Sequence, residues 1–158
     1  MKGGKTNAVR ILLTAGVAFA VRDYPVRDDA LDAVSVARFL GAEPERVFKT
    51  LVTVGDSGEH FVFCLPGNAG LDLKKAARAA GERRIGMLPA RELQPLTGYV
   101  HGGCSPVGMK KELPVWIEES AQLFETILVS GGARGLDVEI APGDLVELVG
   151  ARYADLIA

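Results

Sequence analysis

The hydrophobic positions of this chain change period from segment to segment, and each change predicts an element. Val9, Leu12 and Leu13 recur at helical spacing behind the capping residues Thr6 and Asn7, with Gly16 as a stop. FAVRDY at 19–24 alternates apolar and polar side chains and reads as a strand. A short helix is expected over 33–40, ending at Gly41. VFKTLVTV at 47–54 and HFVFCLP at 60–66 are β-rich runs separated by GDSGE, a hairpin signal. LDLKKAARAAG at 71–81 places Leu73, Ala76, Ala77 and Ala80 on one helical face. Pro89 opens a short helix expected to run through Leu93, and PVWIEES and ETILVSG predict two further strands. LDVEIAP at 136–142 alternates again, and GDLVELVGARYADLIA reads as a closing helix with Asp144 near its start. Strand hairpins interspersed with helices, without repeat or linker, predict one α+β domain over residues 1–158.

Composition narrows the setting. About half of the residues are hydrophobic and a quarter charged, which suits a soluble globular protein. No window approaches the ~20 consecutive apolar residues of a membrane span. The start, MKGGKTNAVRILL, is basic and then apolar. However, Arg10 interrupts the run and no small-residue cleavage site follows, so it reads as a helix rather than an export signal. Cys64 and Cys104 are then expected to be reduced thiols of a cytoplasmic protein. The net charge of −2 gives no global attraction to nucleic acid, so an RNA partner would have to be met by local patches. Lys74 and Lys75 with Arg78, Arg83 and Arg84 form one candidate, and Lys110 with Lys111 another. By charge alone the solvated face of an ordinary helix is the favoured reading.

The densest chemical signal is VHGGCSPVGMKK at 100–111. Gly103 and Gly108 have the interval of a phosphate loop, but Met109 stands where its lysine belongs and no Ser or Thr follows Lys110. A Cys104–His101 nucleophile pair would need a lowered thiol pKa and a facing geometry that three residues of glycine-rich loop do not supply. Two His and two Cys without paired spacing do not make a zinc site, and no cofactor is called for. The backbone remains. Successive amides in a glycine-rich bend can form an anion site or oxyanion hole, and Pro106 stiffens such a loop without offering a donor. By pattern alone, a plain tight turn fits equally well.

Five blocks resolve this by resemblance: KTNAVRILL at 5–13, VFKTLV at 47–52, LDLKKAA at 71–77, TGYVHGGCSPVGMKK at 97–111 and VSGGARGLDVEIAP at 129–142. In this order, over nearly the whole chain, they resemble the YbaK family of free-standing aminoacyl-tRNA editing proteins, which are similar to the editing insertion of some bacterial prolyl-tRNA synthetases. The nearest resemblance is to the branch that hydrolyses Cys-tRNA(Pro). It implies an α+β fold with a mostly antiparallel, barrel-like mixed sheet and surrounding helices. It also implies a trans-editing deacylase that meets the acceptor end of tRNA(Pro), with prolyl-tRNA synthetase as a helper and no membrane partner. Two rivals stay open: editing of another small aminoacyl-tRNA such as Ala-tRNA(Pro), and a non-catalytic module that binds a tRNA end or nucleotide.

The resemblance also implies roles. Lys49 would hold the 3′-terminal nucleotide through phosphate or ribose oxygens. A lysine inside an apolar strand is costly to bury, which marks it independently. Gly102, Gly103, Cys104, Ser105 and Pro106 match the family's glycine-to-proline loop, whose amides would hold the substrate carbonyl. Cys104 occupies a variable position of it, so its thiol is not expected to matter. Asp137 matches an acidic position that would orient the substrate amine or assist thiol deprotonation. Tyr24 would line the pocket, and Gly131 and Gly132 its other wall. Lys74, Lys75, Lys110 and Lys111 are the candidate tRNA contacts. Discrimination would be chemical: the substrate's own cysteine thiol attacks its ester, in a lyase-like cyclisation that prolyl and alanyl esters cannot follow. Cysteine and proline are too close in size for a pocket to separate by more than ~1–3 kcal/mol, so such a second sieve is needed.

Overall fold

The computed structural model describes residues 5–158; the first four residues of the basic start lie outside them. Helix α1 (Asn7–Ala15) begins where Thr6 accepts a hydrogen bond from the Val9 amide, and ends at Gly16, whose φ of 72° is a left-handed cap. Strand β1 (Phe19–Asp23) leads to α2 (Ala33–Leu40), capped by Asp32 and stopped by Gly41. The hairpin of β2 (Phe48–Gly55) and β3 (His60–Pro66) follows, as the GDSGE signal predicts. Helix α3 (Leu73–Ala80), strand β4 (Ile85–Met87) and helix α4 (Ala90–Thr97) come next. The remaining elements are β5 (Val115–Glu118), β6 (Ile127–Ala133), β7 (Leu136–Ile140), α5 (Pro142–Val149) and β8 (Arg152–Ala154).

The expected α+β class holds, but the sheet is not a closed barrel. The strands form two sheets, one ordered β1-β7-β6 and antiparallel, the other β4-β2-β3-β5-β8. In the larger sheet β2 pairs antiparallel with β3 and β4, whereas β5 runs parallel to both β3 and β8. A single parallel bridge, Val47 to Leu128, ties the sheets together. The outer strands β4 and β8 have three residues each, too short to continue the hydrogen-bonded wall around.

Two further expectations need correction. The closing helix stops at Val149, because Gly150 takes a left-handed φ of 67° and the Ala151 amide turns back to the Val146 carbonyl. The tail then becomes β8, which covers the edge of β5, and the buried carboxylate of Glu118 accepts the Leu156 amide at 2.7 Å. Helix α4 runs past Leu93 to Thr97 with Pro95 inside it, on an exposed turn.

The core fills both sides of the large sheet. Phe48, Val52, Val62 and Cys64 pack with Leu12, Val129 and Ile140 between the sheets and α1. On the other side Phe63 stacks on Trp116, with ring centroids 5.5 Å apart, beneath Ala76 and Ala77 of α3. A third cluster joins Val36 and Ala37 of α2 to Val47 and Leu128. That cluster seats the start of α2 against the junction of the two sheets, and the candidate site opens there.

Candidate active site

A pocket of about 230 Å³ lies where the start of β2, the start of α2, the start of β7 and the loop after α4 converge. It is small for a ligand pocket, which suits an amino-acid-sized group rather than a nucleotide. Of the residues singled out in the sequence, Tyr24, Lys49, Gly102, Cys104 and Asp137 line it together. They are scattered over 114 positions of sequence, from 24 to 137, and meet only through the sheet junction.

Lys49 projects from a half-buried position of β2 and donates to the Gly67 carbonyl at 3.3 Å. It forms no salt bridge among the described residues, so its ammonium has donors left for a ligand. Burial lowers its pKa and the nearby Asp32 carboxylate raises it. Asp32 also lines the pocket, held by the Ser35 amide at 3.1 Å and the Ser35 hydroxyl at 2.7 Å. The Ser35 hydroxyl is the main reason its pKa lies below the ordinary value, so it is an anion at neutral pH.

Asp137 is the opposite kind of carboxyl. It is 4% exposed, and no hydrogen bond reaches its side chain among the described residues. Burial pushes its pKa up to about 7, against the pull of Arg22. Arg22 stands directly across the β1–β7 pair, but its guanidinium is committed elsewhere, to Glu139 at 2.8 Å and the Leu40 carbonyl at 3.0 Å. Glu139 in turn accepts from Arg46 and Thr126, which locks that network in place. Tyr24, next in the pocket wall, has its hydroxyl pKa raised by burial and then by Asp137.

The glycine-rich loop is fixed by its own contacts. The Tyr99 hydroxyl donates to the Val107 carbonyl at 2.6 Å, and the Gly103 amide to the Val100 carbonyl at 2.9 Å. The Ser105 hydroxyl, fully buried, accepts the Val107 amide at 3.1 Å. Gly103 has no room for a side chain: a Cβ there would lie 2.8 Å from the Arg134 nitrogen and 2.9 Å from the Ala133 carbonyl carbon. The loop thus rests backbone to backbone on the β6–β7 turn. Gly102 has a φ of 85°, and the Arg134 guanidinium beside it donates to the His101 carbonyl at 2.8 Å. The amides of Gly102 and Cys104, both pocket residues, have no acceptor among the described residues. They are the donors left for a ligand oxygen.

Several predicted residues stand elsewhere. Gly103, Ser105 and Pro106 do not line the pocket; they shape the loop that does. Gly131 and Gly132 are likewise outside it, and they form the bulge between Ser130 and Ala133 in the β6–β7 register. Thr6 donates to the Gly131 carbonyl at 2.6 Å, and Gly132 has a φ of 98° beneath Tyr99. None of Lys74, Lys75, Lys110 and Lys111 lines the pocket. Lys75 is tied to Asp155 at 3.0 Å and to the Ile157 carbonyl at 2.6 Å, whereas Lys74, Lys110 and Lys111 are exposed. Pocket residues that sequence reasoning missed are Leu31, Asp32, Thr50 and Ser130. Only Asp32 left a local signal, an N-cap residue ahead of the 33–40 helix.

The pocket offers no activated nucleophile of its own. Burial raises the Cys104 thiol to about 11 and the Cys64 thiol to about 12, so both stay protonated at neutral pH. His101 is exposed and Cys104 buried; both line the pocket, but His101 is not among the groups that set the Cys104 pKa.

Comparison with known proteins meets this geometry. Residues 28–148 match the family model of the aminoacyl-tRNA editing domain. A protein of Enterococcus faecalis, provisionally named Cys-tRNA(Pro)/Cys-tRNA(Cys) deacylase EbsC, is 43% identical over 152 residues, which are 96% of this chain and 93% of that protein. A proline–tRNA ligase of Syntrophotalea carbinolica is 33% identical over 104 residues, 60% of this chain but 18% of the ligase. A crystal structure provisionally described as a trans-editing enzyme for prolyl tRNA synthetase superposes with a TM-score of 0.85 at 31% identity, over 99% of each chain. The resemblance carried by the five sequence blocks and the fold around the pocket thus lead to one conclusion: this chain belongs to the aminoacyl-tRNA editing domain family.

Proposed function

We propose that this protein deacylates Cys-tRNA(Pro), using the substrate's own thiol as the nucleophile. The observation that carries the reading is a pocket that, among the described residues, has amide donors without acceptors, a lysine outside any salt bridge and a buried carboxyl, while its cysteine thiol is held protonated. The relative from Enterococcus faecalis supports cysteine as the cargo, and its name covers tRNA(Cys) as well as tRNA(Pro). A net charge of −2 fits an enzyme that recognises the aminoacyl end and takes little of its affinity from the tRNA body. The likeness to a segment of a proline–tRNA ligase supports prolyl-tRNA synthetase as the partner that supplies the rest.

In this mechanism Lys49 holds the terminal nucleotide through phosphate or ribose oxygens at the pocket mouth. The substrate Sγ attacks the carbonyl carbon of its own ester. The C–S bond forms, the bond from that carbon to the tRNA 3′ oxygen breaks, and the thiol proton ends on the departing ribose oxygen. The Gly102 and Cys104 amides hold the oxyanion as it develops. Asp137, with a pKa of about 7, relays the proton, because a base titrating near the working pH both accepts and returns it. A cyclic thioester and free tRNA leave.

The thiol claim is tested by comparing Cys-tRNA(Pro) with Ser-tRNA(Pro), and wild type with Cys104→Ala. Oxygen keeps the shape but holds its proton far more tightly than a thiol of pKa ~8.5, so serine release is expected to be slow. Cys104→Ala is expected to retain activity. Fast serine release would rule out the substrate thiol as the required nucleophile, and loss of activity in Cys104→Ala would point to the protein's own thiol.

A further inference from the structure

Two carboxyl groups line the pocket, and they differ in every respect that matters to a charged substrate. Asp137 is buried without a hydrogen-bond partner among the described residues, near the start of a strand. Asp32 is exposed at the mouth, in the N-cap position of α2. Its rotamer is set by Ser35: one carboxylate oxygen accepts the amide at 3.1 Å and the other the hydroxyl at 2.7 Å. Each oxygen keeps acceptor capacity for another donor. Asp32 is thus the pocket's one pre-oriented anion.

An aminoacyl ester brings a positive charge of its own, the α-ammonium, into a pocket that already holds Lys49. Two cations in so small a space need a counter-charge. Asp137 is unsuited to that task if it also exchanges a proton: an ammonium against it would hold it ionised and strip it of basicity. Asp32 carries no such conflict.

We propose that the Asp32 carboxylate is the counter-ion for the substrate α-ammonium, which makes it a specificity-determining residue that selects aminoacyl groups over neutral acyl groups. The assignment rests on the aminoacyl-ester reading above, and it moves the amine from Asp137 to Asp32. Asp137 is left free for the thiol. The ammonium meets the Asp32 carboxylate at the α2 cap, the carbonyl oxygen faces the loop amides, and the side chain points inward to Tyr24 and Asp137. Asp32 also offsets the Lys49 charge in the empty pocket and the ammonium in the filled one.

The test uses binding, so that it stands apart from turnover. The probes are 3′-cysteinylamino-3′-deoxyadenosine, whose amide link resists cleavage, and the same molecule with the α-amine replaced by hydroxyl. The proteins are the full chain, Asp32→Asn and Asp32→Ser; Asn and Ser cap helices about as well as Asp, so α2 is kept and only the charge is lost. Wild type is expected to bind the amine probe about tenfold more tightly than the hydroxyl probe, the order of a hydrogen bond to a charged group. Both variants are expected to bind the two probes alike, at the wild-type affinity for the hydroxyl probe, with unchanged melting temperatures. A variant that keeps the tenfold preference, or a wild type that shows none, overturns the assignment. Hydrolysis of Cys-tRNA(Pro) is measured alongside. Its absence, with an amine preference that Asp32→Asn abolishes, would defeat the deacylase reading and leave the Asp32 assignment standing.

Discussion

Asp137→Asn should stabilise this protein at alkaline pH. Asp137 is almost completely buried, and its pKa is pushed up to about 7 from an ordinary value of ~3.9. Below about pH 4 the carboxyl is protonated in the folded and unfolded states alike and contributes nothing. Between pH 4 and 7 the unfolded chain releases the proton while the folded chain keeps it, so unfolding becomes steadily easier. Above pH 7 the full cost is present: a rise of about 3 pKa units at ~1.4 kcal/mol each, or ~4 kcal/mol. Asn has nearly the same volume and never ionises. Urea melts at pH 5 and pH 8 give the difference between the proteins at each pH, and contributions from distant groups cancel in that difference. By the same linkage ~1.5 kcal/mol of the cost is already present at pH 5, so the advantage of Asp137→Asn should grow by about 3 kcal/mol between the two. Parallel stability curves would refute the reasoning, because they would mean that Asp137 ionises as freely in the folded state as in the unfolded chain. The variant should also lose deacylation, as the proposed proton relay through Asp137 requires.

Lys49→Ala should lower kcat/KM for Cys-tRNA(Pro) by roughly 10- to 100-fold, the scale of one lost hydrogen bond to a charged group. Its melting temperature should not fall, since the ammonium is half-buried and lacks a salt bridge among the described residues; a large fall would make Lys49 structural. Gly103→Ala should lower the melting temperature by about 3–10 °C, from ~1–3 kcal/mol of overpacking at ~2–4 °C per kcal/mol, and should slow deacylation by lifting the loop off the β6–β7 turn. Gly86→Ala, with nothing within 4 Å of the added Cβ, is the control and should change neither.

Local signals carried much of the fold. The glycine stops at 16 and 41, the 55–59 turn and the alternation at 136–140 each act through backbone conformation or side-chain period, and both are written in neighbouring residues. What failed was decided at long range. Strand β4 has only three residues, too few for alternation to show, and exists because β2 pairs with it. Residues 152–154 form a strand because β5 offers an edge, and no property of Arg-Tyr-Ala reveals that edge. The two sheets stayed open for the same reason, since strand length is local but closure is not.

The site shows the same division. Lys49 and Asp137 were conspicuous as charged residues in apolar strands, but their separation by 88 positions hides their meeting. Only the ordered family blocks joined them. Gly102 was legible as a bend, whereas the need for Gly103 comes from the backbone of Ala133 and Arg134, 30 and 31 positions away. Asp32 was passed over because a helix cap gives a sufficient local reason for an aspartate, and the pocket gives it a second one.

The central claim is that this pocket releases cysteine from tRNA through the thiol of the substrate. Incubating the purified protein with Cys-tRNA(Pro), Ala-tRNA(Pro) and Pro-tRNA(Pro) and following the loss of each ester tests it directly. The account predicts rapid loss of cysteine alone, with the alanyl and prolyl esters decaying at their spontaneous rates. Equal hydrolysis of the alanyl ester, or hydrolysis of none of the three, would contradict it.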